Sequence, residues 1–294
     1  MSQILANIQP DDRVAHRNTD AAVFAGLSRN ASQLAVRYEP IVALRLDLQN
    51  PRLHSRKQVR QTDLRPCGRD ARLHSRKRVR QIANRAELAA IPETYAIAWT
   101  CLFRNLEITR GQTLVIRGAA SAFGQAALKM AVDASVRVIA TTRGRERVAL
   151  LEQLGAERVE TEGPELSQRI AEAKQLDAVL DLVGNSTILD SLAMLRRGGR
   201  ACLAGWLGGL APIKDFNPLL QMASGVYLTF FGSFVFGEPG FPLSDVPLQE
   251  IAQQVASGRL KAKPSRVFRF EEIHEAHRVM EANEAGGKMV VVIG

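Results

Sequence analysis

Residues 113–147, TLVIRGAASAFGQAALKMAVDASVRVIATTRGRER, read as a strand, a glycine-bearing turn, a helix and a second strand, and this succession constrains the chain more than any other stretch. Thr113, Leu114, Val115 and Ile116 are a run of β-favouring or apolar residues between a Gly-Gln turn and Gly118, the pattern of a strand buried on both faces of a parallel sheet. The spacing predicts a helix from Phe123 to about Val132 and a strand from Val136 to about Ala140. Gly118 and Gly124 let backbone N–H groups approach a pyrophosphate, toward which the helix would turn its positive end. The turn departs from a literal G-x-G-x-x-G, because Ala119 and Ser121 stand in the first two glycine positions before Gly124. The same residues also suit a tight strand-to-helix turn that holds no ligand.

The end of the second strand bears on which dinucleotide would fit. An NAD site places an Asp or Glu about 20 residues after the glycines, where it binds the ribose 2′-hydroxyl. Here the region reads Thr141, Thr142, Arg143, Gly144, Arg145, Glu146, Arg147. Three arginines against one Glu, together with the threonine hydroxyls, suit a 2′-phosphate, so NADPH is the expected cofactor. The alternative is that these arginines open a solvated helix.

Beyond this stretch, strands and helices keep alternating. AELAAIPETYAIAWTCLFRN reads as helix interrupted at Pro92, with Trp99 and Leu102 on its apolar side. RVALLEQLGAERV gives a helix closed by Gly155 and a short strand. GPELSQRIAEAK gives a helix with Glu165 early in it, and LDAVLDLVG a buried strand. ILDSLAMLRRGG reads as a helix ended by Gly198 and Gly199, and RACLAGWLGG as another strand. Val226 to Phe236 is a strand candidate apolar enough to need cover, and helix, strand, helix and strand follow to the end. The expected fold class is α/β, a doubly wound parallel sheet. Ligands of such sheets lie beyond the carboxyl ends of the strands, which brings Gly184, Gly205 and Leu207 toward the cofactor unless they are ordinary turn and core residues.

With 294 residues and 46% hydrophobic content, the chain can bury a sizeable core. Its net charge of +9 is local. Residues 51–85 hold twelve Arg or Lys against Asp63 and Asp70, a balance of +10 that leaves the remainder at −1. Within that segment RLHSRKQVRQ at 52–61 recurs as RLHSRKRVRQ at 72–81, too few copies for a solenoid. The basic arm would attract phosphate backbones, but residues 51–85 contain no Phe, Tyr or Trp on which bases could stack, so nucleic acid is not the expected partner. Residues 1–50 offer one strand candidate, Ile41 to Leu48.

Cys67, Cys101 and Cys202 lie far apart and without a C-x-x-C pair, which predicts free thiols rather than a disulfide framework or a thiolate zinc site. His274 and His277 suit a solvated helix face, and no metal site is expected. No apolar run approaches the roughly 20 residues of a bilayer span, and the N-terminus lacks the build of a secretory signal, so a cytoplasmic protein without membrane contact is expected.

Residues 86–294 resemble the zinc-independent quinone oxidoreductase branch of the medium-chain dehydrogenase/reductase superfamily. The resemblance lies in AAIPETYAIAW, VIRGAASAFGQAALKMA, RVIATTR, LGAERV, DAVLDLVG, MLRRGGR and FEEIHEAHRVMEANEAGGKMVVV, taken in that order. It implies a Rossmann domain over residues 86–260, with residues 261–294 returning to a catalytic domain, and a dimer that binds NADPH and passes hydride to a quinone or an α,β-unsaturated carbonyl. It assigns the pyrophosphate to Gly118, Ala119, Ser121 and Gly124, with Ala122 and Phe123 beginning the helix. It assigns the 2′-phosphate to Arg143 and Arg147 beside Thr142. Gly205, Leu207, Phe231 and Gly232 would approach the nicotinamide end, and no catalytic acid or base is assigned, since the cofactor carries the hydride. The N-terminal barrel-like catalytic domain of that branch is not recognisable in residues 1–75, so the catalytic domain is expected to be incomplete or replaced, and residues 1–85 form an irregular basic region. Resemblance begins only near Val79, in VRQI. Ile97 stands where many relatives carry a small hydroxyl residue. Three functions remain open: a reductase, an NADPH-binding remnant without turnover, and a nucleic-acid-associated protein acting through the basic arm.

Overall fold

Leu114, Val115 and Ile116 are fully buried, because the strand they form lies in the middle of a parallel sheet with helices on both faces. The computed structural model describes residues 85–293 and the backbone of Val42–Leu44. In chain order the elements are β1 (Val42–Leu44), α1 (Arg85–Ala89) and α2 (Pro92–Trp99), which runs on into a π-helical turn, Thr100–Asn105. Next come β2 (Thr113–Arg117), α3 (Ala122–Asp133), β3 (Arg137–Thr142), α4 (Val148–Gln153), β4 (Arg158–Thr161) and α5 (Leu166–Arg169). The sheet is completed through β5 (Leu176–Asp181), α6 (Ile188–Ala193), β6 (Leu195–Leu203), α7 (Pro218–Gln221) and β7 (Tyr227–Phe230). The chain then passes through α8 (Leu248–Ala256), β8 (Arg266–Arg269), α9 (Ile273–Glu281) and β9 (Met289–Val292).

Six strands stand in the order β4-β3-β2-β5-β6-β7, all pairs parallel. This is a doubly wound sheet whose chain direction reverses between β2 and β5, so the two halves leave a crevice beyond the strand ends there. Alternation along β2 sends Leu114 and Ile116 to one face and Val115 to the other. On the first face α2, α3 and α8 close the core; Ala126, Ala127 and Ala131 of α3 are small enough to bring that helix close to the sheet. On the second face Leu166 of α5 and Ile188 and Leu192 of α6 cover Val115, Ile139 and Val179. Each such fully buried Leu or Ile stabilises the fold by about 1.5–3 kcal/mol over an exposed one.

A second parallel sheet, β1-β9-β8, packs against α1 through Ala86, Ala89, Ala90 and Val290. Pro92 opens α2 at a position where its missing N–H costs nothing. The strand expected at 41–48 is represented by Val42–Leu44; its other residues, VRQI and the duplicated basic segment lie outside the described residues.

Four local expectations need correction. The helix expected from GPELSQRIAEAK is only α5, four residues long. Glu165 does not complement its dipole: it sits before the helix with φ +54°, and Asp190 of α6 takes the first amides instead, from Leu166 N at 3.0 Å and Ser167 N at 3.1 Å. Gly198 and Gly199 lie within β6 rather than ending a helix, because the chain turns into the sheet at Leu195. The last strand of the large sheet stops at Phe230, and Ser233–Val235 is a 3₁₀ turn.

Candidate functional site

The turn after β2 is built from three residues that use one another's polar groups. Gly118 adopts φ +75°, donates its N–H to Thr141 Oγ1 at 3.0 Å, and accepts from Ser121 N at 3.1 Å. Ala119 N donates to the Thr141 carbonyl at 3.1 Å. Ser121 is the N-cap of α3, its extended backbone letting Oγ accept from Gly124 N at 3.0 Å. A Cβ at position 124 would lie 2.6 Å from Ala119 Cα and 2.7 Å from the carbonyl oxygens of Gly118 and Ala119, so only glycine lets the helix start press into the turn. Ala119 serves in place of the motif's first glycine because the left-handed residue is one position earlier. The following residues, Ala122, buried, and Phe123, half-buried, form the first turn of a twelve-residue helix whose positive end faces the strand ends.

The ends of β5 and β6 converge on the same place. Ala204 N donates to Asp181 O at 3.0 Å and Leu207 N to Leu182 O at 3.0 Å, extending the pairing beyond the sheet. A Cβ on Gly184, φ +112°, would lie 2.9 Å from Gly205 O, and one on Gly205 would lie 2.7 Å from Leu182 O. Leu207 Cδ1 reaches within 2.8 Å of where a Cβ on Gly118 would stand. Gly118, Gly184, Gly205 and Leu207 are therefore neighbours at the topological switch. Phe231 and Gly232 follow β7; Phe231 is buried, its N–H bonded to Leu203 O at 3.0 Å and its ring packed against Phe236 and Phe241. Trp206 meets Phe230 edge to face, 5.7 Å between centroids. Ile97 packs partly buried against the core of α2 and α3.

Thr142, Arg143 and Arg147 lie at the end of β3. Thr142 Oγ1 accepts from Gly144 N at 3.2 Å, closing the turn, while Arg143 is exposed. Arg147 donates to Asn283 O at 3.0 Å and stands 3.7 Å from Glu146, a side chain that is 73% exposed. One 3₁₀ turn, Arg145–Arg147, leads into α4.

A buried polar network under these strand ends has no counterpart in the sequence reading. Arg117, with a side chain that is 0% exposed, donates to Glu162 Oε1 at 2.5 Å, Asp190 Oδ2 at 2.7 Å, Gly163 O at 2.8 Å and Ser191 Oγ at 3.3 Å. Burial opposes its charge, yet Glu162, Asp181 and Asp190 hold its pKa above the ordinary value. Thr141 donates its hydroxyl to Glu162 Oε2 at 2.5 Å while accepting from Gly118. Asp181 accepts from Val183 N and Gly184 N at 2.9 Å, Thr187 Oγ1 at 3.0 Å and Ser191 Oγ at 2.6 Å. Burial pushes the Asp181 carboxyl up, against those donors and Arg117. Burial also opposes the Asp190 charge, but donors from Ser167 and Arg117 keep its pKa below the usual range. Charged residues ending apolar strands, Arg117 after TLVI and Asp181 after AVL, were the signals available, since buried charges require partners.

Residues 154–291 match a family model described as zinc-binding dehydrogenase. Among curated proteins, the chain is 26% identical over 210 residues to quinone oxidoreductase-like protein 2 of Bos taurus, covering 70% of this chain and 60% of that one. It is 23% identical over 214 residues to the quinone oxidoreductase of Homo sapiens, covering 70% and 62%. The C-terminal segment is thus similar to zinc-binding dehydrogenases and to proteins named quinone oxidoreductase. The chain spans 60% and 62% of the length of these two relatives. The chain is also 30% identical over 216 residues to a highly reducing polyketide synthase of Gibberella zeae, of which it covers 9%. The fold agrees with a mycobacterial structure solved with NADPH, TM-score 0.62 at 24% identity over 71% of this chain and 65% of that one. It agrees also with the CurK enoyl reductase, TM-score 0.58 at 28% identity over 71% and 62%. Among the described residues no group of three or more His, Cys, Asp or Glu is placed to hold a metal ion; His274 and His277 are exposed on α9, and Cys101 and Cys202 are buried free thiols. No helix of the described residues is long and apolar enough to cross a membrane.

Proposed function

We propose that the C-terminal segment binds NADPH across the switch between β2 and β5, and that the protein uses it to reduce a quinone or an α,β-unsaturated carbonyl. The observation that carries this reading is the close approach of Gly124 to the backbone of Ala119, which presses the start of α3 against the turn after β2 and turns the helix's positive end toward the strand ends. In this reading the turn from Gly118 to Gly124 faces the pyrophosphate, with Ser121 holding the helix start in shape and Ala122 and Phe123 adding the positive helix end. Thr142, Arg143 and Arg147 receive the 2′-phosphate, for which exposed Arg143 has a free approach. Gly184, Gly205, Leu207, Phe231 and Gly232 wall the nicotinamide end. Names of relatives support the substrate class, which is that of quinone oxidoreductases and an enoyl reductase. The bound nucleotide supplies the hydride, and solvent supplies the proton that completes the hydroquinone or saturated carbonyl. A homodimer belongs to the same reading, favoured by exposed Tyr227, Leu228 and Phe230 on edge strand β7.

The test is NADPH fluorescence with the purified full chain, before and after adding an ortho-quinone or an enone, with NADH in parallel. Binding followed by consumption supports the reductase. Binding without consumption across such acceptors leaves a nucleotide-binding domain without turnover, and no binding overturns the proposal.

A further inference from the structure

The residue of interest is Arg117, and the inference rests on the nucleotide reading above. In a dinucleotide-binding sheet, an acid at the end of the strand after the turn binds the ribose diol and repels a 2′-phosphate. This chain puts Thr142 and Arg143 at that place, but it keeps an acid one strand away. Glu162 follows β4 directly, and its N–H donates to Thr142 O at 2.9 Å. Both of its carboxylate oxygens are occupied: Oε1 accepts from Arg117 Nη2 at 2.5 Å and Gly163 N at 2.9 Å, and Oε2 from Thr141 Oγ1 at 2.5 Å and Arg117 Nε at 3.3 Å. The Glu162 side chain is 6% exposed, turned under the strands rather than toward Arg143.

We propose that Arg117 is a specificity-determining positioning residue: by pairing with Glu162 beneath β3 it keeps that carboxylate neutralised and inward, leaving the Arg143 edge positive enough for a 2′-phosphate. Arg117 does not touch the nucleotide in this scheme. It acts through Glu162, whose carboxylate is otherwise held, among the described residues, by the hydroxyl of Thr141 and the amide of its own neighbour Gly163. Without Arg117 the carboxylate keeps its charge with no counter-charge, and because Glu162 N donates to Thr142 O at 2.9 Å that charge lies beside the end of β3, where it opposes a 2′-phosphate.

The experiment measures dissociation constants for NADPH and NADH with the full chain in four forms: wild type, Arg117→Gln, Glu162→Gln and the double variant. Arg117→Gln is expected to lower the preference for NADPH over NADH by about tenfold at low salt, and less at high salt. The double variant, in which the Glu162 charge is removed as well, is expected to recover the wild-type preference to within about twofold. Glu162→Gln alone is expected to keep or raise the preference, which gives a reading even where Arg117→Gln does not fold. A parallel weakening of both nucleotides in Arg117→Gln, no recovery in the double variant, or a lowered preference in Glu162→Gln each overturns the assignment. A wild type that binds both nucleotides equally overturns it while leaving nucleotide binding intact, and a wild type that binds neither overturns the nucleotide reading as well.

Discussion

A Cβ placed on Gly124 would stand 2.6 Å from the Cα of Ala119, so the first turn of α3 and the loop after β2 touch backbone to backbone. The contact fixes how deep the helix start sits beneath the strand ends. Replacing Gly124 by Ala forces the helix outward. A loss of about 1–3 kcal/mol in urea-unfolding stability is expected, together with loss of NADPH fluorescence enhancement at concentrations where the wild type is saturated.

Thr141 both receives the Gly118 amide and donates to Glu162. Thr141→Val keeps the shape and removes both bonds, stranding a buried amide and a carboxylate oxygen, at a cost of about 1–3 kcal/mol. Thr141→Ser, which keeps the hydroxyl, is expected to lie much closer to wild type. Equal losses in the two variants would show that the methyl group, not the hydroxyl, matters.

Asp181 is surrounded by four donors from the loop after β5 and from α6. Asp181→Ala leaves those donors unpaired and Arg117 with one fewer negative neighbour. A loss of about 3–5 kcal/mol is expected, read as a lower urea midpoint with an unchanged slope. A change below about 1 kcal/mol would mean that water replaces the carboxylate.

Lys129 on α3 donates to Lys261 O at 2.7 Å and lies over the Tyr95 ring, 5.6 Å from its centroid. Burial, and secondarily the charge of Lys261, lowers its pKa to about 8 from 10.5. The unfolded chain then holds the proton more tightly than the folded one between these values, so this lysine's unfavourable contribution is present in full below pH 8 and is relieved as pH rises toward 10.5. Stability of the wild type relative to Lys129→Met is therefore expected to improve between pH 7.5 and 9.5. A flat difference across that range would place the ammonium in water.

The order of strands and helices was legible because burial on both faces writes an unbroken apolar run at 113–116, and because Gly118 and Gly124 are required by backbone geometry that no other residue meets. Elements set by partners distant in the chain were read less well. α5 was overestimated, since its first amides are satisfied by Asp190, a residue on the next helix that no short-range pattern reveals. Likewise Gly198 and Gly199 look like a helix end, but they sit where the β5–β6 pairing shifts register, and Gly198 N donates to Gly225 O at 2.8 Å.

Sequence alone therefore determined the alternating α/β plan, the glycine-bearing turn and the basic end of β3, because each depends on residue type and near spacing. Tertiary structure alone decided that Thr141 takes the Gly118 amide, that Leu207 lies against Gly118, and that Glu162, bonded to the end of β3, is neutralised by Arg117. Arg117 and Glu162 are separated by 45 positions. A buried charge finds its partner by proximity in the folded state, and that proximity exists only once β2, β3 and β4 have paired.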